Sequence, residues 1–246
     1  MKTFTLDLTN ENVTLTAYLP DTSPEMPNMD SRRAILVIPG GGYHFCSDRE
    51  AEPIALKFLA KGYAAFILRY SLNENSEFPK PLNDAEEALA LIRKNAGEWG
   101  VNPQKIAAIG FSAGGHLTAM LSVAGKERPN AQILGYACTL EKIGKILAKP
   151  TPGADVLVDD KTPPAFIFAS AEDNVVPIEN SLKYAEALDS KDIPFEMHIF
   201  QKGYHGFSTA EEYVYAVDEQ RAYNADCAVW VPLCLRWLDN LFGTYA

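Results

Sequence analysis

The sequence predicts an α/β fold with one mostly parallel sheet, an N-terminal antiparallel hairpin and helices on both faces. Two N-terminal segments alternate apolar and polar residues, as half-exposed strands do. The next strand-like segment, 34–38, is apolar at every position, which is typical of a strand covered on both faces. From there on, strand-like segments alternate with segments whose apolar residues have helical spacing. Such repeated strand–helix units favour parallel strand pairing. Because such sheets bind ligands at the carboxyl ends of their strands, motifs that follow strands are candidate sites.

The predicted elements follow in chain order. Alternation over 4–8 and 13–17 indicates the hairpin, and the Pro-rich segment 20–33 connects it to the rest. Further strands are predicted at 34–38, 63–68, 106–109, 133–137, 165–169 and 195–200, and the first of these is apolar at every position. Apolar residues at helical spacing predict helices at 51–59, 85–92, 117–124, 178–188 and 231–242, with a turn at 97–103.

Length and composition favour one large domain but also allow two small ones, and the order of the motifs described below favours a single domain over residues 1–246. The chain is 47% hydrophobic, and its formal net charge of −10 repels phosphate backbones and anionic lipid, so neither nucleic acid nor a membrane surface is an expected partner.

Four scattered cysteines without a CxxC pair indicate neither a zinc site nor a disulfide framework. Without a signal core or an apolar span in the sequence, we expect a cytoplasmic protein, and a homodimer is left open.

A G-x-S-x-G motif, Gly110 to Gly114, follows the predicted strand 106–109 and opens the next helix. In that context the chain turns so sharply that only small residues fit beside the serine, whose hydroxyl is exposed at the end of the sheet. Free N–H groups at a helix N-terminus also favour developing negative charge. The alternative is a Gly-rich helix start without chemistry. We expect Ser112 to be a nucleophile.

Three glycines, Gly40 to Gly42, follow the first buried strand. Glycine leaves backbone N–H groups unshielded and allows conformations closed to other residues, which suits donors to an oxyanion. A glycine run alone also occurs in flexible turns and nucleotide-binding loops. Combined with the nucleophile motif two strands later, it indicates an oxyanion site.

Of the four histidines, His205 is the one expected to act as a general base. It lies in a glycine-flanked loop just after the last predicted strand, where it can reach the end of the sheet that carries the serine. His198 lies inside that strand and is expected to pack or to face solvent. His116 lies one turn into the helix after the serine, where a supporting role is expected, and His44 could line the pocket mouth.

The carboxylate that orients the base should follow another strand between the serine and the histidine. Asp173 follows the strand 165–169 and precedes a helix, with Glu172 beside it as the main rival. Asp159 and Asp160 precede that strand and therefore belong to the opposite edge of the sheet. The chain order is then serine, aspartate and histidine.

These motifs make the chain resemble an α/β-hydrolase of the esterase/lipase type, in particular the small bacterial carbohydrate (acetyl-xylan-type) esterases related to dienelactone hydrolase. The similar segments, between about residues 34 and 208, are IPGGGY, RYSL, GFSAGGHL, PPAFIFASAEDNVVPIENS and HIFQKGYHGF. The resemblance implies Ser112 as nucleophile, Asp173 as orienting acid and His205 as base. It also implies an oxyanion hole that consists of the N–H groups of Gly41, Gly42 and Ala113.

Two features qualify the resemblance. Many relatives have His-Gly-Gly-Gly where this chain has Pro39 before the glycines, so the residues that brace this loop are left open. Only residues 140–163 can serve as a small cap, which implies an open pocket suited to esters of bulky or polymeric alcohols.

The expected function is that of a serine hydrolase of short-chain carboxylic esters, most of all O-acetyl groups on a carbohydrate or another polar alcohol. The triad needs no metal and no organic cofactor, and the expected partner is a small-molecule or oligosaccharide ester. Two alternatives share the fold: a serine peptidase of the prolyl-oligopeptidase type, and a non-catalytic ligand-binding protein.

Overall fold

The structure is a computed structural model that describes residues 1–215 and 225–244. The strands are β1 (Lys2–Asp7), β2 (Thr14–Leu19), β3 (Arg32–Ile38), β4 (Ala64–Arg69), β5 (Val101–Phe111), β6 (Ala131–Gly135), β7 (Ala165–Ser170) and β8 (Phe195–Phe200). The α-helices are α1 (Glu52–Leu59), α2 (Lys80–Lys94), α3 (Ser112–Ala124), α4 (Glu179–Asp189), α5 (Ala225–Ala228) and α6 (Trp230–Phe242).

The strand pairing confirms the predicted α/β class. All eight strands join one sheet in the order β1-β2-β4-β3-β5-β6-β7-β8. β1 pairs antiparallel with β2, and β2 pairs antiparallel with β4. From β4 to β8 in sheet order the pairing is parallel. The carboxyl ends of β3, β5, β7 and β8 therefore share one edge of the sheet, where the segments that follow them meet.

Alternate residues of the central strands supply a core on each face of the sheet. In β3, Leu36 belongs to one buried cluster with residues of α2, α3 and α4, whereas Val37 belongs to the other with residues of α1 and α6. This two-sided burial explains why the strand is apolar at every position from 34 to 38. On the α6 face, the buried Trp230 stacks on Phe168 with 4.2 Å between ring centroids.

Two strand boundaries differ from the sequence prediction. β5 begins at Val101 rather than at Ile106, because Val101 is buried and pairs with Arg32 before the register shifts. The second half of the predicted turn 97–103 is thus wrong. β6 ends at Gly135 rather than at residue 137, since Tyr136 has a φ of 36°, which is incompatible with a strand.

The segment 140–163 lies over the carboxyl edge of the sheet and contains two 3₁₀ helices, Glu141–Ile146 and Asp155–Leu157. The amide of Ala148 donates to the carbonyl of Gly42 at 2.8 Å, which attaches the segment to the glycine loop. That this segment acts as a cap stays a prediction. The single domain over 1–246 also stays a prediction, and residues 216–224 and 245–246 of it lie outside the described residues. In the described part of the chain, no helix combines the length and apolarity that a membrane crossing requires.

Two glycines, Gly114 and Gly97, offer a matched pair of substitutions to alanine. A Cβ on Gly114 would lie 2.1 Å from the carbonyl oxygen of Ile38, whereas a Cβ on Gly97 would meet no atom within 4 Å. We expect Gly114→Ala to lower the free energy of unfolding by about 1–3 kcal/mol, because overpacking displaces backbone. Gly97→Ala should change it by less than about 1 kcal/mol. Urea unfolding measures both, and equal stabilities would contradict the contact between β3 and α3.

Candidate active site

Ser112 occupies the tight turn between β5 and α3. Its φ of 52° is in the left-handed region, which a serine adopts only where surrounding structure enforces it. The flanking glycines are required by space, because a Cβ on Gly110 would lie 2.2 Å from the carbonyl oxygen of Gly114. The turn leaves Ser112 at the carboxyl edge of the sheet, where it lines a cavity.

His205 lies in the loop after β8 and contacts the serine. Its Nε2 is 2.9 Å from Ser112 Oγ, and its Nδ1 is 2.7 Å from Asp173 Oδ2. Because a carboxylate can only accept here, Nδ1 carries the ring proton, and Nε2 is left to accept from the serine hydroxyl. The structure therefore brings together the three residues that the sequence singled out, in a continuous hydrogen-bonded chain.

Asp173, in the loop after β7, is held by its own backbone surroundings. Its Oδ1 accepts hydrogen bonds from the amides of Val175 at 2.9 Å and Val176 at 2.8 Å, which leaves Oδ2 for the histidine. The rival Glu172 is exposed. Asp159 pairs instead with Arg128, and this ion pair lowers the pKa of its carboxyl.

The other histidines differ in role. His198, within β8, is hydrogen-bonded to Glu196 at 2.8 Å, so it is a strand residue away from the serine. The exposed His44 lines the cavity, as the sequence indicated.

His116 is buried on α3 and is hydrogen-bonded to two segments that surround the cavity. Its Nε2 donates to the carbonyl of Pro152 at 2.8 Å, so its Nδ1 accepts from the hydroxyl of Tyr43, also at 2.8 Å. Tyr43 directly follows the three glycines and has a φ of 63°. His116 thus joins α3, the glycine loop and the segment 140–163, which agrees with the supporting role expected for it.

Two residues of the glycine loop, Gly41 and Gly42, line the cavity. The amide of Gly40 donates to Glu50 Oε2 at 2.8 Å. Among the described residues, the amides of Gly41 and Gly42 donate to no protein atom. Gly41 has a φ of 127°, and a Cβ there would lie 2.1 Å from the carbonyl oxygen of Phe45, so no other residue fits. Ala113 lies in the first turn of α3, where amides lack intrahelical acceptors.

Two residues that the sequence analysis did not single out hold the glycine loop in place. In this loop Pro39 stands where many relatives have a histidine. The buried Tyr70 donates through its hydroxyl to the carbonyl of Pro39 at 2.7 Å, and Glu50 holds Gly40. Tyr70 lies in the RYSL segment that carried the resemblance, which was the available signal. Glu50 lies in a charged stretch that resembles a solvated turn, so its burial had no signal in the sequence.

The cavity beside Ser112 has a volume of ≈ 290 Å³. Its rim carries three exposed apolar side chains from separate segments: Phe45, Ile146 and Val175. Ile146 belongs to the segment 140–163, so that segment forms one wall. Among residues 1–215 and 225–244, no cluster of three or more His, Cys, Asp or Glu side chains is arranged to hold a metal ion.

The sheet topology and the strand-end position of the serine define an α/β hydrolase. The BD-FAE family model matches residues 18–146, just over half of the chain, and the chain belongs to that family. The model of the prolyl oligopeptidase family matches residues 148–229.

Several known proteins are similar to this chain. A solved α/β hydrolase enzyme from a Medee basin deep-sea metagenome library is 47% identical, with a TM-score of 0.92 and 98% of each chain covered. Endo-1,4-beta-xylanase B of Butyrivibrio fibrisolvens is 34% identical over 79% of this chain and 36% of its own length. Acetylxylan esterase of Xylanibacter ruminicola is 30% identical over 84% of this chain and 46% of its own length. The chain thus spans less than half of these two curated relatives.

The buried His116 should make stability depend on pH. Burial lowers its pKa from 6.5 to about 4. Between these values the unfolded chain binds a proton that the folded chain does not, so this stability is complete above about pH 6.5 and is lost as the pH falls toward 4. We expect a loss of about 2–3 kcal/mol over that range. His116→Gln, which can keep both hydrogen bonds, should lack this component. Urea unfolding at both pH values tests this, and equal pH dependence in the two proteins would contradict it.

Proposed function

We propose that this chain is a serine carboxylic ester hydrolase with Ser112 as nucleophile, His205 as general base and Asp173 as the orienting acid. One observation carries the proposal, which is the hydrogen-bonded chain from Ser112 Oγ through the His205 ring to Asp173 beside an open cavity. Further support comes from the amides of Gly41 and Gly42, which donate to no atom of residues 1–215 and 225–244 and can therefore donate to an oxyanion.

The proposed reaction has two halves. Ser112 Oγ attacks the ester carbonyl while its proton passes to His205 Nε2, and negative charge develops on the carbonyl oxygen. The amides of Gly41, Gly42 and Ala113 would stabilise that oxyanion. As the intermediate collapses, His205 returns the proton to the departing alcohol and an acyl-serine remains. Water, deprotonated by His205, then attacks the acyl-serine and releases the acid.

The substrate that we propose is a short acyl ester, acetyl above all, of a carbohydrate or another polar alcohol. A cavity of ≈ 290 Å³ suits a small acyl group, and its rim is open enough for a larger alcohol. The exposed ring of Phe45 offers a flat apolar surface for the C–H face of a sugar. A relative named acetylxylan esterase supports this assignment as well.

A serine peptidase is the second candidate, because the prolyl oligopeptidase family model covers the segment with Asp173 and His205. Comparing kcat/KM for acetyl esters with that for aminoacyl amides separates the two. The proposal expects clear preference for esters, and preference for amides would replace it with peptidase activity. A non-catalytic protein of the same fold would show neither activity.

Ser112→Ala tests the nucleophile. We expect hydrolysis of p-nitrophenyl acetate to fall by at least about 10⁴-fold, and covalent labelling by a fluorophosphonate to be lost, with folding unchanged. Ser122→Ala is a matched control, since Ser122 lies on the same helix but donates only to the Thr118 carbonyl. A Ser112→Ala variant that kept its rate, or a wild-type chain that the fluorophosphonate did not label, would refute the proposal.

Phe45→Ala tests the alcohol side of the pocket. We expect KM for an acetylated xylo-oligosaccharide to rise about 2- to 10-fold, because a stacking surface is lost, while KM for p-nitrophenyl acetate changes less. Val156→Ala serves as control, since Val156 is exposed on the segment 140–163 but does not line the cavity. Equal effects on both substrates would count against a sugar-binding role for Phe45.

A further inference from the structure

We propose that Glu50 is a positioning residue that couples the glycine loop to the histidine loop and keeps a negative charge close to His205. This inference rests on the proposed function, because it assigns Glu50 a part in the same site. Neither the G-x-S-x-G motif nor the resemblance pointed to this residue.

Both carboxylate oxygens of Glu50 are engaged, each with a different side of the site. Oε2 accepts from the amide of Gly40 at 2.8 Å, and Oε1 accepts from the hydroxyl of Tyr136 at 2.7 Å. Glu50 is only 3% exposed, and no Lys or Arg in the described part of the chain forms an ion pair with it. A buried carboxylate without a paired cation is costly, so its hydrogen bonds are what make its burial possible.

Tyr136 carries the connection onward to the histidine loop. Its hydroxyl accepts from the amide of Ser208 at 3.0 Å, and its ring packs edge-on against His205 with 5.0 Å between centroids. The hydroxyl of Ser208 donates to the carbonyl of Arg49, next to Glu50. The loop that carries His205 is therefore attached to the Glu50 region at two points.

The proton directions indicate that Glu50 is ionised. Because the amide of Ser208 donates to the Tyr136 oxygen, the hydroxyl proton of Tyr136 points toward Glu50. Both Glu50 oxygens then act as acceptors, as in a carboxylate. Burial raises the pKa of the Glu50 carboxyl, while the bonds from Tyr136 and Gly40 and the nearby His205 and Arg49 oppose that rise.

This negative charge matters at the step in which His205 takes the serine proton. The acidic groups near the ring are Asp173, which is hydrogen-bonded to Nδ1, and Glu50, which lines the same cavity and interacts electrostatically with His205. Arg49 also lines this cavity and attracts Glu50 through its charge, although it makes no ion pair with it. A carboxylate near the ring favours its protonated form. Glu50 thus has two effects: it positions the glycine loop through Gly40, and its negative charge favours the protonated form of His205.

Glu50→Gln separates these effects from simple structural support. The amide has nearly the same shape but no charge, and its NH₂ cannot accept a hydrogen bond from Gly40 or Tyr136. For p-nitrophenyl acetate we expect kcat to fall about 10- to 100-fold with little change in KM. We also expect the acid limb of the kcat/KM profile to move to lower pH, because the neutral amide removes a negative charge near the ring that takes the serine proton.

Three further variants make the test specific. Tyr136→Phe removes the hydroxyl that donates to Glu50 and accepts from Ser208, so kcat should fall because the connection between the two loops is broken. Glu50→Asp keeps the charge on a shorter side chain and should leave the acid limb in place. Glu52→Gln removes the charge of an exposed glutamate that accepts from Tyr18 on β2 and should change neither quantity.

The outcomes distinguish this inference from the proposed function. An active wild-type chain whose Glu50→Gln variant kept the wild-type acid limb would overturn the role of Glu50 and leave the esterase proposal intact. A wild-type chain without ester hydrolysis and without fluorophosphonate labelling would refute the esterase proposal itself. Urea unfolding of each variant confirms that the compared proteins are folded.

Discussion

The site depends on the left-handed turn at Ser112 between β5 and α3. A serine takes a φ of 52° only where packing enforces it, and here the backbone of β3 lies so close to α3 that residue 114 must be glycine. That closeness sets the glycine loop, which follows β3, beside the serine. The loops after β7 and β8 reach the same place because parallel strands end at one edge. The orientation of the hydroxyl toward His205 is thus a consequence of the sheet.

The glycine loop is held from two sides by buried ionisable groups. On the side of the histidine loop, Glu50 accepts a hydrogen bond from the amide of Gly40. On the side of α3, His116 accepts a hydrogen bond from the hydroxyl of Tyr43. Burial lowers the pKa of His116 to about 4, so its ring is neutral near pH 7. Burial raises the pKa of the Glu50 carboxyl, and the hydrogen bonds from Tyr136 and Gly40 oppose that rise.

Much of the fold, and the identity of the three candidate catalytic residues, can be predicted from local sequence patterns. The apolar run 34–38 and the G-x-S-x-G motif each report a local backbone constraint, and both elements lie where they predict. The contacts that hold the glycine and histidine loops in place cannot be predicted in this way, because they join residues far apart in the chain. Glu50 and Tyr136 are 86 positions apart, and neither type is unusual in its local context. The start of β5 was missed because Val101 is a strand residue only through its pairing with Arg32.

The most direct test of the proposed chemistry is to trap the acyl-enzyme. The chain is mixed with p-nitrophenyl acetate, quenched in acid during turnover, digested and analysed by mass spectrometry. The mechanism predicts one acetyl group on the peptide that contains Ser112, and its absence from Ser112→Ala. Turnover without any acetylated peptide would contradict the assignment of Ser112 as the nucleophile. So would an acetyl group on another residue, such as Cys138, whose amide donates to the carbonyl of Ser112 at 3.1 Å.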